Sequence, residues 1–328
     1  MTIKDVAKEA GVSSAAVSRY FNGGSLSEDK KEKISKVVEK NHYVPNQTAQ
    51  SMRTGKSGQI GVIIPKINSE SFSQIMKGIA KAIDSYSDYN LILGCTYGKQ
   101  EKEVEYIESM QSNKMEGILL MGTIMTPYLS AAIKKCKVPI VVTGQNFENV
   151  PCVYFDDKNA MSDMTRLMLK KRKKLAYIGV TEDDLSAGKA RKQGVERALE
   201  EAGIDKASLI TRISDFSMEG GYEAMKSLLD EGALIDGVIC ATDLIAHGAM
   251  QAIKEAGKKI PKDISLTGVG NSWADTISEP ELTTVQLYYE ECGKTAFTML
   301  KEMIDSPEKK RVISRVMLGY EIIERGSI

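Results

Sequence analysis

Over the first 43 residues the apolar positions repeat with a helical period and break twice. Ile3, Val6, Ala7 and Ala10 share one face of a helix, because residues three and four apart stack above one another. Thr2 precedes that helix and Asp5 follows three residues on, the spacing of a capping pair at a helix start. Gly11 closes the helix, as a residue tolerant of positive φ does. Ser13 is placed to cap a second helix, where Val17, Tyr20 and Phe21 point one way and Ser14, Ala15, Ser18, Arg19 and Asn22 another. Ser27 is placed to cap a third helix, with Glu28 and Asp29 near its positive end. Ile34, Val37 and Val38 complete a three-helix core, and Tyr43 follows. Pro45–Asn46 opens a further element. Asn46 can cap a short helix with Ala49 and Met52 on one face, too short to be stable alone.

Past Ser57 the pattern changes to apolar runs separated by amphipathic stretches. IGVIIP (60–65), LILGC (91–95), GILLM (117–121) and PIVVTG (139–144) read as buried strands, with helices over Ser73–Ser85 and Lys102–Ser112. After Phe155 the alternation restarts with LAYIG (175–179), GVICAT (237–242) and ISLTGVG (264–270). Such spacing predicts parallel sheets covered by helices on both faces. Two series predict two sheets with a cleft between them, and ligands in such sheets sit beyond the carboxyl ends of the strands.

Composition sharpens this division. The 328-residue chain carries 44 Lys and Arg against 44 Asp and Glu. Residues 1–57 hold ten of the basic and six of the acidic residues, which leaves 34 and 38 for the rest. A basic head on a slightly acidic body fits a head that binds a duplex with the help of a partner head. The five cysteines (95, 136, 152, 240 and 292) are scattered and the two histidines, His42 and His247, lie far apart. That pattern predicts neither a disulfide framework nor a metal site, and no cofactor. No run of eighteen apolar residues predicts a membrane helix, and the polar N-terminus does not read as a signal peptide. A cytoplasmic protein is expected.

The second helix has the make-up of a DNA-reading element. Small residues let the backbone approach the major-groove floor, and Arg19 can set its planar fork on guanine O6 and N7. A helical bundle without a ligand is the alternative reading of the same pattern. Met52 reads as a core or linker residue, or as a wedge in a minor-groove base step. Elsewhere, GVG (268–270) lacks the third glycine of a dinucleotide-binding turn, and GKAR (188–191) lacks the spacing of a phosphate loop. KKRKK (170–174) reads as a solvated turn before LAYIG, and no Ser/His/Asp set has a motif around it, so no enzyme activity is expected.

The strings TIKDVAKEAGVS, VSRYFN, YVPN and AQSMRTGKS resemble, in order and spacing, the headpiece and hinge of the lactose repressor family of bacterial regulators. The resemblance implies that Ser14 and Ala15 are the main sequence-reading positions. It places Ser13, Ser18, Asn22 and Lys30 at backbone-contacting positions and Arg19 near base edges. Met52 stands where the family usually has leucine, as the minor-groove lever. Thr2, Ser27, Tyr43, Asn46 and Ala49 complete the candidate DNA-binding set. The fold class expected is an N-terminal all-α helix-turn-helix headpiece with a hinge helix, then an α/β core of two doubly wound parallel-sheet subdomains similar to periplasmic binding proteins. The expected domains are 1–45, a hinge at 46–57, and an effector-binding core at 58–328. The family's three crossings would divide that core into 58–155 plus 287–312 and 156–285 plus 313–328, the third crossing lying near 312–316.

For the effector, the resemblance assigns Arg191 to the ligand; a solvated helix-start residue is the alternative. Thr242 would reach the sugar while Asp243 caps its helix, and His247 is packed or exposed. Many family members carry an aspartate where this chain has Gly270, and Asn271 would take part of that work. GVGN, GVTEDD and ATD look more like the trehalose and Gram-positive sucrose repressors, which implies a disaccharide or its 6-phosphate. Lys66 could supply a positive charge, while Gly144 stands where the trehalose repressors place a second arginine. Gln145 and Phe72 are wall residues or core residues. The function implied is a homodimeric, sugar-responsive repressor on a near-palindromic operator. The alternatives are a catabolite regulator docking a phosphorylated carrier protein, where the family has an arginine and this chain has Thr298, a sugar-binding protein without regulatory role, and a nucleotide-dependent enzyme.

Overall fold

The computed structural model describes residues 1–21, 23–43, 57–85, 89–306 and 312–328. Asn22, Asn46, Ala49 and Met52 lie outside these. The chain divides into Met1–Gly58 and Gln59–Ile328.

The first unit has helices α1 (Ile3–Ala10), α2 (Ser14–Phe21) and α3 (Glu28–Lys40) among its described residues. Thr2 and Asp5 form the reciprocal cap: the Thr2 amide donates to Asp5 Oδ2 at 2.8 Å and Thr2 Oγ1 accepts from the Asp5 amide at 3.4 Å. Gly11 ends α1 at φ 63°. The Ser13 hydroxyl accepts from the Ala16 amide at 3.2 Å. Ser27 departs from expectation. Its hydroxyl makes no capping bond, and only its carbonyl enters the first turn, accepting from the Lys31 amide at 3.1 Å. Val6, Ala7, Ala10, Ala16, Val17, Ile34 and Val37 are buried together, with Tyr20, Phe21, Val38 and Tyr43 packed around them.

The second unit contains two six-stranded sheets. The first holds β1 (Gln59–Ile64), β2 (Asn90–Cys95), β3 (Gly117–Met121), β4 (Ile140–Thr143), β5 (Cys152–Phe155) and β11 (Arg315–Leu318), ordered β11-β5-β4-β3-β1-β2. The second holds β6 (Leu175–Gly179), β7 (Ile210–Ile213), β8 (Gly237–Cys240), β9 (Ser265–Val269), β10 (Thr283–Leu287) and β12 (Tyr320–Ile323), ordered β12-β10-β9-β8-β6-β7. Pairing is parallel except between β10 and β12. The covering helices are α4 (Glu70–Asp84), α5 (Gln100–Ser112), α6 (Pro127–Lys135), α7 (Asp157–Leu169), α8 (Arg191–Glu201), α9 (Met218–Asp230), α10 (Asp243–Glu255) and α11 (Tyr289–Asp305).

The chain passes between the sheets after Phe155 and after Leu287. The third passage is at Gly319, not near 312–316. β11 is still an outer strand of the first sheet, with Val316 opposite Val153, and β12 begins in the second at Tyr320. Residues 313–318 therefore go with the first sheet, because β11 covers the edge that β5 would otherwise leave unpaired.

Each sheet carries a helix pair in backbone contact through glycine. A Cβ on Gly78 of α4 would lie 1.9 Å from the Glu290 carbonyl oxygen of α11, and one on Gly293 would lie 2.0 Å from that of Ile75. On the second sheet, Gly221 and Gly248 play the same part between α9 and α10, at 2.3 Å from Ile245 O and 1.9 Å from Met218 O.

Candidate nucleic-acid interface and effector cleft

In the head, packing fixes which face of α2 is free. Ala16 and Val17 are buried, so Ser14, Ala15 and Arg19 are turned outward and Ser18 is half-buried. Small side chains beside one long fork are what close approach to base edges requires. The Arg19 guanidinium has no ion pair or hydrogen bond among the described residues. Lys31, Lys33 and Lys36 of α3 pair with Glu28, Asp29 and Glu32 at 2.7–2.8 Å, whereas Lys30 is exposed without such a pair among the described residues. Ser13 is exposed, with its oxygen engaged in its cap. The Thr2 hydroxyl is committed to Asp5, and Tyr43 packs edge-on against Phe21, 5.9 Å between ring centroids.

In the core, the strand ends of the two sheets bring buried polar groups together. Arg191, at the start of α8, is neither solvated nor free. It is 6 % exposed. Its Nε donates to Asp157 Oδ1 at 2.7 Å and its Nη1 to the Ala241 carbonyl at 2.5 Å. Burial works against the Arg191 charge, and Asp157, Tyr289 and Tyr177 together more than offset it, so the guanidinium is held above its ordinary pKa. Burial pushes the Asp157 carboxyl up, with Arg191 opposing. Burial likewise raises Tyr289, at the start of α11, to about 12, and Arg191 beside it pulls the other way.

Gln145 follows β4 of the first sheet, and Asp184 follows β6 of the second. Gln145 Nε2 donates to Asp184 Oδ1 at 2.8 Å, a buried bond between the two halves. Asp184 Oδ1 also accepts from the Ser186 and Ala187 amides at 3.0 and 2.8 Å, which opens the π-helical turn Leu185–Ala190 ahead of Arg191. Three buried atoms in this region have no partner among the described residues: Gln145 Oε1, Asp157 Oδ2 and the Tyr177 hydroxyl. An unpaired buried polar atom is costly, so these point to where a polar ligand would bond.

Asp243 is not the cap of α10. Thr242 is, its Oγ1 accepting from the Ile245 amide at 3.3 Å. Asp243 instead turns inward, where Thr284 Oγ1 donates to its Oδ1 at 2.5 Å and the Ser272 amide to its Oδ2 at 3.2 Å. Burial, then the neighbouring Asp275, pushes its carboxyl well above the usual range. His247 is packed, with Nε2 2.8 Å from Asp275 Oδ1. This also accounts for Gly270. It stands at φ 145°, and a Cβ there would lie 2.6 Å from Asp243 Oδ2, so Asp243 fills the space a side chain would need.

Two other expected cleft residues, Asn271 and Phe72, are occupied by the fold. Asn271 donates through Nδ2 to Gln286 Oε1 at 2.5 Å and accepts from Arg325 Nη2 at 2.6 Å, so both ends of its amide serve the fold. Phe72 is buried among the core residues of α4 and β1. Lys66 lies exposed past the end of β1. Sequence reasoning missed Asp157, Asp184, Tyr177 and Tyr289. The available signal was position for Asp157 and Tyr289, each two residues past a strand end, and for Asp184, in the loop after β6.

Residues 2–46 match the family model for bacterial regulatory proteins of the lacI family, and residues 57–320 match that for periplasmic binding proteins and the sugar binding domain of the LacI family. The chain is 32% identical over 330 residues to the HTH-type transcriptional regulator RegA of Clostridium saccharobutylicum, covering 99% of this chain and 98% of that protein. It is 30% identical to Catabolite control protein A of Streptococcus mutans, covering 100% and 98%, and 30% identical to the Sucrose operon repressor of Staphylococcus xylosus, covering 97% and 99%. Among solved structures, the lac repressor dimer bound to operator and the anti-inducer ONPF matches with a TM-score of 0.89 at 22% identity, covering 100% and 98%. Among the described residues no helix is long and apolar enough to cross a membrane.

Proposed function

The chain belongs to the LacI family of bacterial regulatory proteins, and on that premise we propose that it represses a sugar-utilisation operon and is released by a sugar held between its two sheets. Sequence-specific DNA binding is the output of this family. The observation that carries the sugar-responsive half is the buried seam between the sheets. There Gln145 bonds to Asp184 and Arg191 to Asp157, while Gln145 Oε1 and Asp157 Oδ2 are buried with no hydrogen-bond partner among the described residues. A sugar bonding to both would favour one arrangement of the two halves over another. It shifts the equilibrium only by its differential affinity for the two arrangements.

In this reading the protein acts in the cytoplasm as a homodimer and catalyses no reaction. A near-palindromic site demands a two-fold partner, and edge strand β2 presents Ile92 and Leu93, 39% and 47% exposed, for a second copy. Base reading falls to Ser14, Ala15 and Arg19, and backbone contact to Ser13, Ser18, Asn22 and Lys30. The domain division is a head at 1–45, a hinge at 46–57 and the two-sheet core, with the last passage moved to Gly319. A disaccharide of the sucrose or trehalose type fits the GVGN, GVTEDD and ATD strand ends, and the Staphylococcus xylosus relative supports it.

A second reading, control through a phosphorylated carrier protein docking on α11, has the catabolite control relatives in its favour. Thr298 stands against it: its hydroxyl folds back onto the Lys294 carbonyl at 3.0 Å and offers no positive charge. The test of the main reading is selection of bound sequences from a random duplex library. The expected result is a near-palindromic consensus whose affinity falls steeply with salt; no consensus, or salt-insensitive binding, contradicts it.

A further inference from the structure

We propose that the effector is an uncharged polyol, a neutral mono- or disaccharide, and that the cleft discriminates against its phosphate esters. This rests on the sugar-responsive reading above and narrows it.

The buried oxygens of the seam that have no partner among the described residues ask for donors. Gln145 Nε2 is fixed on a carboxylate, Asp184 Oδ1, so the free end of that amide is its oxygen. Asp157 spends Oδ1 on Arg191 and leaves Oδ2. The Tyr177 hydroxyl, also unpartnered and 1 % exposed, can donate or accept. Sugar hydroxyls donate to two acceptors and accept from a third group at once. A phosphate near neutral pH carries roughly −1.5 to −2 charge and offers acceptors only. It would set its oxygens against Asp157 Oδ2 and Gln145 Oε1.

The buried cation of the seam is engaged by groups of the fold. Arg191 has given Nε to Asp157 and Nη1 to the Ala241 carbonyl, and lies beside the Tyr289 hydroxyl. Asp184 adds a second buried carboxylate a short way off, itself held by backbone amides and Gln145. Lys192 is paired with Glu182 at 2.5 Å. Lys66 and Lys189 are exposed, where an ammonium–phosphate contact is screened by water and salt.

The experiment is calorimetric titration of the full-length protein with common neutral mono- and disaccharides, sucrose and trehalose included, and with the 6-phosphate of each. Every sugar that binds is expected to do so about tenfold or more tighter than its 6-phosphate, the scale of one like-charge contact in a partly dry site. A 6-phosphate that binds more tightly than its parent overturns the inference and leaves the sugar-responsive reading standing. Binding by no sugar and no ester overturns that reading, and the inference with it. In Asp157→Asn, Arg191 loses its counter-charge and the preference for the parent sugar should shrink or reverse. An undiminished preference in the folded variant overturns the role given to Asp157. If that variant does not fold, Gln145→Met removes the other acceptor without a charge change. It is expected to weaken the parent sugar about fivefold or more, the scale of one hydrogen bond to a sugar hydroxyl; unchanged affinity overturns the assignment.

Discussion

Replacing Arg191 by alanine removes one half of a buried ion pair. Both partners are nearly dry, with side chains 7% and 2% exposed at an N–O distance of 2.7 Å. Breaking such a pair from one side costs about 3–5 kcal/mol, because the remaining charge stays buried without a partner. The Ala241 carbonyl also loses its 2.5 Å donor, worth about 1 kcal/mol. Asp157 limits the loss by taking up a proton. Burial already raises its pKa against the pull of Arg191, and without Arg191 it rises further. A carboxyl whose folded pKa lies above the unfolded value contributes stability below the unfolded value and loses it as pH rises through the folded one. The gap between wild type and Arg191→Ala should therefore be small at acid pH and widen by about 1.4 kcal/mol per pH unit once the pH passes the point where Asp157 ionises in the wild type, until it ionises in the variant too. The assay is urea unfolding from pH 4.5 to 8 for wild type, Arg191→Ala, Asp157→Leu and the double variant. The double variant should recover much of the loss, since a well-packed apolar pair substitutes for a buried ionic one. A gap below about 1 kcal/mol at pH 7.5, or one that does not change with pH, would refute the reasoning.

Three further outcomes are expected. Arg19→Ala should weaken binding to the selected operator far more than to random duplex, by about 1–3 kcal/mol in discrimination; equal losses on both in a competition titration would remove Arg19 from base reading. Glu103, 2 % exposed and with Oε2 unpartnered among the described residues, is pushed by burial to a pKa of about 7. The stability it contributes below the unfolded pKa is therefore lost between about pH 4.5 and 7. Glu103→Gln should match wild type at acid pH and exceed it above pH 7 by on the order of 3 kcal/mol in urea unfolding; a pH-independent difference would contradict this. Gly78→Ala should lower the melting temperature, because its Cβ would sit 1.9 Å from Glu290 O and force α4 and α11 apart, a cost of about 1–3 kcal/mol. An unchanged melt would mean the helices separate freely.

Where the chain buries a strand on both faces, the sequence announces it. Ile60–Ile64, Ile118–Leu120 and Ile140–Val142 are continuous runs of apolar residues and one glycine, all of them buried. The outer strands β7 and β11 are half exposed, and ITRI and RVML lack that signal, which is why the last passage was set several residues early. The head was legible because capping residues and a 3.6-residue period are local features. Ser27 shows the limit of such reading, since the right residue type at a helix start need not turn its hydroxyl inward. The cleft was the least legible part. Arg191 could be picked out, but its counter-ion lies 34 residues earlier, at the start of another helix. No spacing rule links Gln145 to Asp184 or Asp243 to Thr284. The glycine contacts between helices were hidden for the same reason, because a glycine's neighbours across an interface are set by the fold.

In the reading proposed above, a sugar bound between the sheets controls DNA binding by the head. The most direct test is fluorescence anisotropy of the selected operator duplex with the full-length protein, titrated with the neutral sugar that calorimetry finds to bind most tightly. Release of the operator at sugar concentrations near that sugar's own dissociation constant, with a matching fall in sugar affinity when operator is present, is the result this account predicts, since the coupling must be reciprocal. Operator affinity that stays constant while the sugar saturates the core would contradict it.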